Sequence, residues 1–318
     1  STFIVVLFII SFFITLVCGQ NEANITNIKL SVTPYQLYDK TILIKKYENV
    51  DKSLPYADLL FLNLHSNENT SVVACKSLVQ MDGGSVVYFK HDGTRQISFH
   101  SQNTKFSFDP NRMFTDIGLE KFISHDDFPD EFQAVRDFAK ETLSFINFQQ
   151  LDPVISIHNN GPGYSAESYL PGNVFEDDAS DVFISKAIFD TPRYFFFVIT
   201  RDLFNSLKGV YQNVVLQSPT ATNDGSLSVF TQESGKNYVN VEGPAADFAD
   251  GTRVVNQLFM MRSLCSVLRP SPFSPTLLVM ILSLVFNVVL LFTLIGCTST
   301  FIIQCIHQRK SKPYASIS

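Results

Sequence analysis

Apolar and polar positions along this chain alternate with two different periods, and the changes of period divide it into strands and helices. Residues 28–32 and 41–44 read as strands, and 57–64 as a longer apolar run that ends in His65-Ser66-Asn67-Glu68. Residues 70–80 suit a helix, and 129–145 places Phe132, Val135, Phe138, Ala139, Leu143 and Phe145 on one helical stripe. Asp82-Gly83-Gly84 turns into a strand at 85–89. Asp92-Gly93 separates that strand from another at 95–100, which is a hairpin signal. A strand end near 105 runs into the loop 108–115, 153–157 is a short buried strand, and 164–193 is a long polar loop with scattered aromatics. Loops of that length tend to be lids or binding loops. Strands at 195–199, 213–217, 226–230 and 238–242, a short helix at 201–209 and a long one at 245–267 complete the pattern. Strands alternating with helices, some joined as hairpins, predict an α/β fold with a mixed β-sheet flanked by helices.

At both ends the polar half of the pattern disappears. Residues 2–17 form an apolar run of signal-peptide length, followed by Cys18-Gly19-Gln20, with Val17 and Gly19 as small residues before a cut ahead of Gln20. Residues 277–303 carry no charge and are long enough to span a bilayer, and the basic stretch His307 to Lys312 after them fits the cytoplasmic side. The expected layout is a signal peptide at 1–19, an extracytoplasmic domain at 20–268, a Pro-rich stalk at 269–276, a transmembrane helix at 277–304 and a cytoplasmic tail at 305–318. This describes a single-pass type I membrane protein with its main domain extracellular or lumenal.

Composition narrows the function classes. The two end segments inflate the 45% hydrophobic content, the net charge is −6, and no basic patch interleaved with aromatics occurs in 20–268, so nucleic acid is not an expected partner. That region holds only Cys75 and Cys265, which rules out a disulfide scaffold and leaves a single bridge or two buried thiols open. Asn24 and Asn69 begin glycosylation sequons, the second directly after Glu68, where a glycan would crowd any site built on that carboxylate.

His65 ends an apolar strand and Glu68 follows three residues later, so a helix beginning at Ser66 or Asn67 would turn both side chains the same way. An imidazole and a carboxylate converging there are two of the three ligands of a two-His, one-Glu zinc site. On its own this pattern equally fits a hydrogen-bonded strand-end histidine. His158 repeats the arrangement, with a β-branched strand before it and a Gly/Pro-bent loop after it. Two such strands side by side bring both imidazoles to one sheet edge. Glu242 ends a further strand and is a candidate general base. Asn111 and Arg112 lie in a loop from which a guanidinium can hold a substrate carboxylate. His91, His100, His125 and His307 sit in turns, a hairpin, an acidic loop and the tail, and join no such set.

Taken in order, H-x-x-E at 65–68, D-P-N-R-x-F at 109–114, His158 and V-E-G-P at 241–244 resemble the zinc carboxypeptidases of the M14 type. They are most similar to the aspartoacylase and succinylglutamate desuccinylase branch, where the motifs read H-G-N-E, D-L-N-R-x-F, a His followed by Asn, and V-E-x-G. The similarity covers roughly residues 57–260. The resemblance implies zinc on His65, Glu68 and His158, a substrate carboxylate on Asn111 and Arg112, and Glu242 as general base. Pro110 and Ser66 depart from the family pattern, and no Arg stands shortly before Asn111. Arg95 is then the nearest candidate to polarise the substrate carbonyl.

The expected function is a membrane-anchored zinc hydrolase cleaving an amide or peptide bond beside a free carboxylate, with a small peptide or N-acyl amino acid as substrate. The alternative, from another class, is a catalytically inactive cell-surface recognition protein on the same fold.

Overall fold

The computed structural model describes residues 27–185, 191–210, 212–245 and 251–270. The chain divides at Arg269/Pro270, and the fold below belongs to the unit that ends there. Its centre is a sheet of nine strands. In chain order these are β1 (Ile28–Leu37), β2 (Lys40–Asn49), β3 (Leu60–Asn63), β4 (Ser85–Lys90), β7 (Val154–Asn160), β8 (Ala179–Phe183), β9 (Phe195–Val198), β10 (Val214–Gln217) and β11 (Tyr238–Pro244). They lie in the spatial order β1-β2-β4-β3-β7-β11-β9-β10-β8. The centre, β4-β3-β7-β11, is parallel, while β1, β2, β9 and β8 introduce antiparallel pairings. A separate hairpin, β5 (Ile97–Ser101) and β6 (Thr104–Phe108), packs beside the sheet.

The strand periodicity explains the layering. On β7 and β11 the odd-numbered Ile155, Ile157, Val239 and Val241 face a layer of three helices: α1 (Asn69–Asp82), α4 (Arg201–Gly209) and α6 (Gly251–Leu268). The even-numbered Val154 and Tyr238 face the opposite layer, where the hairpin phenylalanines Phe99, Phe106 and Phe108 meet α3 (Pro129–Phe145). Helix α3 starts at Pro129, with Asp130 and Glu131 in its first turn where the helix dipole favours acids, and buries Phe132, Val135, Phe138 and Ala139. Two short helices, α2 (Asp116–Glu120) and α5 (Leu227–Glu233), frame loops on that side.

Four expectations are corrected. No described helix is long and apolar enough to cross a membrane, so the transmembrane helix and the single-pass placement derived from it are not found; residues 277–304 lie outside the described residues. The signal peptide, Asn24 and the cytoplasmic tail lie outside them as well. Asp92-Gly93 does not join a hairpin: β4 is paired on both sides by β2 and β3, which leaves 95–100 to pair with β6. Residues 226–230 form a helix start, because Ser226 caps α5 by accepting from Val229 N–H. The 164–193 stretch contains two short 3-10 turns and the edge strand β8, so it is partly built into the sheet.

Candidate metal centre and active site

The parallel strands β3, β7 and β11 all end at one sheet edge, where open α/β sheets collect their functional groups. Register places Glu242 directly beside His158 on adjacent parallel strands. Beyond β3, Leu64 is followed by a turn in which Glu68 N–H donates to His65 C=O at 3.2 Å. That turn brings residues three apart together before α1 begins at Asn69, so a turn does the work that sequence spacing assigned to a helix. Glu68 is the N-cap of α1, yet its carboxylate makes no capping bond and turns toward the histidines.

Donor atoms of three residues converge there. His65 Nδ1 lies 2.8 Å from Glu68 Oε1, His158 Nδ1 lies 3.0 Å from Glu68 Oε2, and the two Nδ1 atoms are 3.1 Å apart. All three residues are at least 97% buried. Ligands about 2.0–2.1 Å from a tetrahedral zinc are roughly 3.3 Å from one another, so these separations match the edges of such a site. Two imidazole nitrogens facing each other at that distance need a shared proton or a cation between them. The residues present therefore fit a divalent metal.

Partners behind the ligands hold them in place. Asp109 Oδ1 accepts from His65 Nε2–H at 2.7 Å, which fixes the tautomer that leaves Nδ1 toward Glu68. Asn63 Nδ2 donates to Glu68 Oε2, Ser71 Oγ and the Ile157 carbonyl. Gln257, from α6, donates to the His158 carbonyl at 2.9 Å. Charge follows geometry: burial pushes the His65 imidazolium down, but Glu68 and Asp109 outweigh it and raise the group to about 9. Burial pushes the Glu68 carboxyl up, and His65 and His158 overcome this to hold it well below the usual carboxylate range.

Arg95, expected to polarise a carbonyl, is held between two carboxylates and also lines a cavity at this edge. Its Nε donates to Asp109 Oδ2 at 3.0 Å and its Nη1 to Glu68 Oε1 at 3.1 Å. Glu242 accepts from Asn240 Nδ2 at 2.9 Å, and its second oxygen, Oε2, has no partner among the described residues. Burial pushes its carboxyl above the ordinary value.

A cavity of about 440 Å³ opens from this edge, bounded by Glu68, His158 and Glu242 at one end and by Tyr164, Tyr169 and Phe175 along a wall. Asn111 and Arg112 line it too, though part of each is already engaged. Asn111 Oδ1 accepts from Leu227 N–H at the start of α5, while Arg112 Nε lies 3.2 Å from Asp224 Oδ2 and its Nη1 donates to the Asn111 carbonyl at 2.7 Å. Gly118 and Gly225 cross here back to back. A Cβ on Gly225 would come 2.6 Å from Gly118 Cα and closer still to the Arg112 carbonyl oxygen, so only glycine lets the two loops meet.

Cys75 and Cys265 are free thiols buried in the helical layer, unbridged. Asn69 opens α1 and accepts from Lys90 Nζ at 2.6 Å, so its side chain is part of the packing around the turn. Sequence reasoning gave no role to Asp109, Asn63, Asn240 or Asp224. The available signal was a polar residue inside an apolar strand: Asn63 in LLFLNLH and Asn240 in YVNVE.

No family model matches the chain, and no curated protein does. Among solved structures it is similar to a succinylglutamate desuccinylase from Chromobacterium violaceum (12% identity, 81% of this chain and 76% of that one, TM-score 0.39). It is similar also to an aspartoacylase family protein from Mesorhizobium loti (11% identity, 78% and 69%, TM-score 0.39). A third is a metallo-carboxypeptidase from Burkholderia cenocepacia (10% identity, 80% and 67%, TM-score 0.38). The structural neighbours of this chain are thus of the succinylglutamate desuccinylase and aspartoacylase kind, together with a metallo-carboxypeptidase.

Proposed function

We propose that this chain is a zinc-dependent hydrolase that cleaves an amide or peptide bond beside a free carboxylate. The reading is carried by one observation: the buried His65 Nδ1 and His158 Nδ1 stand 3.1 Å apart, each within 3.0 Å of one oxygen of the buried Glu68 carboxylate, and one ligand atom from each of the three residues falls within 4.8 Å of the others. Those three residues would hold the metal, which when bound supplies a Lewis acid and lowers the pKa of water. Glu242, beside His158, takes the proton of the attacking water and returns it to the leaving nitrogen. Its Oε2, which has no partner among the described residues, is available to do so, while Asn240 orients the other oxygen. Arg112, whose Nε faces Asp224 and whose Nη1 donates to the Asn111 carbonyl, offers its remaining guanidinium N–H groups to the substrate carboxylate. Arg95 acts through Glu68 and Asp109 as a positioning residue.

The test is metal content of the purified full chain beside its His158→Ala variant, followed by a panel of N-acyl amino acids and short peptides with and without chelator. About one zinc per chain, lost in the variant, with chelator-sensitive turnover is expected. A folded, metal-free protein that cleaves nothing in the panel refutes the reading.

A further inference from the structure

The mouth of the cavity carries a charge arrangement that a plain carboxylate anchor would not need. Arg112 is paired through Nε with Asp224, and both side chains are about one-third exposed, at 31% and 34%. Asp178 lines the same cavity, and burial together with the negative charge of Asp224 holds its carboxyl above the ordinary value. One cation is thus paired with one anion, and a second carboxylate lines the same cavity. The group is fixed in place: Thr115 Oγ donates to Asn223 Oδ1 at 2.7 Å, Phe114 N–H donates to the Gly225 carbonyl at 3.1 Å, and the Gly118/Gly225 crossing locks the loop that carries Asp224. The same cavity bears a further mark of a ligand site. Glu242 is 6% exposed, and its Oε2 has no partner among the described residues.

A substrate carboxylate approaching the outer edge of Arg112 meets Asp224 and Asp178 at the same time, and like charges at a partly desolvated site repel. An ammonium on the adjacent carbon removes that repulsion and gains two carboxylate partners. Along the wall, the rings of Tyr164 and Tyr169 pack on Phe175 with centroids 5.7 and 5.4 Å away, a surface suited to a short methylene chain.

We infer that the cavity mouth binds an α-amino-acid zwitterion, carboxylate on Arg112 and ammonium on Asp224 and Asp178, so that the substrate is a diamino acid acylated on its side-chain amine. This rests on the hydrolase reading proposed above. Hydrolysis then breaks the acyl C–N bond, places the oxygen of water on the acyl carbon and its proton on the side-chain nitrogen, and consumes nothing else.

The test uses the full-length, zinc-loaded protein and side-chain N-acetyl derivatives of L-2,4-diaminobutyrate, L-ornithine and L-lysine. Each is paired with its analogue lacking the α-ammonium: 4-acetamidobutanoate, 5-acetamidopentanoate and 6-acetamidohexanoate. Turnover is read as kcat/KM, and binding by calorimetry on the Glu242→Gln variant. For at least one chain length the zwitterion should be preferred by about tenfold or more, and Asp224→Asn should reduce that preference to about threefold or less with zinc content unchanged. Equal handling of both members of every pair, a preference that survives Asp224→Asn, or no binding of any pair by a protein that holds zinc would each overturn the inference. The last result leaves the hydrolase reading to its own substrate panel. Conversely, a zinc-free, inactive protein that still binds the zwitterion over its analogue supports the ammonium site and refutes the hydrolase.

Discussion

Asp109→Asn tests whether His65 is held for metal by the carboxylate behind it. Asp109 Oδ1 accepts from His65 Nε2–H at 2.7 Å and from Asn111 N–H at 2.8 Å, while Oδ2 accepts from Arg95 Nε at 3.0 Å. An asparagine keeps an acceptor for the first two bonds, so the loop should stay folded. It loses the charge that makes them strong: bonds to charged groups are worth about 1.5–3 kcal/mol, neutral ones about 0.5–1.5. It also turns an amide N–H₂ toward the Arg95 donor. The resulting deficit, about 1.4–2.7 kcal/mol, corresponds to a 10–100-fold loss of metal affinity, the range typical of partners behind metal-bound histidines. Competition against a chromogenic zinc chelator measures it, with a melting curve to show that the metal-free variant is folded. Zinc affinity within about threefold of the parent would refute the assignment of Asp109 as the residue that orients His65.

Other outcomes follow from the same geometry. Glu242→Gln should retain zinc while turnover falls by about 10²–10⁴, measured at saturating substrate; unchanged turnover excludes Glu242 as the base. Gly225→Ala combines a left-handed residue, φ +82°, with a backbone clash against Arg112 and Gly118. It should cost about 2–5 kcal/mol in denaturant unfolding, the sum of about 1–2 for the conformation and about 1–3 for overpacking, and a neutral effect would show that the loops separate easily. Burial holds the Cys265 thiol up at about 12 and also raises Cys75 well above its ordinary value of 9.0. A thiol reagent at mildly alkaline pH should therefore leave both unmodified in the folded protein and label both after unfolding without reductant, as peptide mass spectrometry will show. The sign for stability is the same for both thiols. Above pH 9 the unfolded chain releases their protons while the folded one keeps them, so unfolding free energy falls as pH rises toward 12. A Cys75–Cys265 disulfide found by mapping would contradict the free thiols.

Much of this protein was determined by its sequence alone. The periodicity locates α3 at its observed bounds, Pro129–Phe145, because an amphipathic stripe with Pro at its start needs no tertiary information. The order of His65, Glu68, His158 and Glu242 was legible as chemistry because each follows a strand of strong β pattern. Local patterns failed where two elements compete for the same partner. Asp92-Gly93 looks like a hairpin turn, but β4 is taken on both edges, and 226–230 has strand-like alternation until Ser226 caps a helix.

The tertiary structure decided what each polar residue does. Sequence offered Arg95 to a substrate carbonyl and Arg112 to a substrate carboxylate; the fold sets Arg95 between Glu68 and Asp109 and places Asp224, more than a hundred residues later, on Arg112. Asn63 and Asn240 look like defects in apolar strands; the structure shows them donating to Glu68 and Glu242, and Asn63 also to the Ile157 carbonyl across the sheet. The reason is physical. A residue's own neighbours set whether it lies on a strand or a helix, while its charge and hydrogen bonds are satisfied by whichever groups the packed sheet brings within about 3 Å, and many of those come from distant parts of the chain.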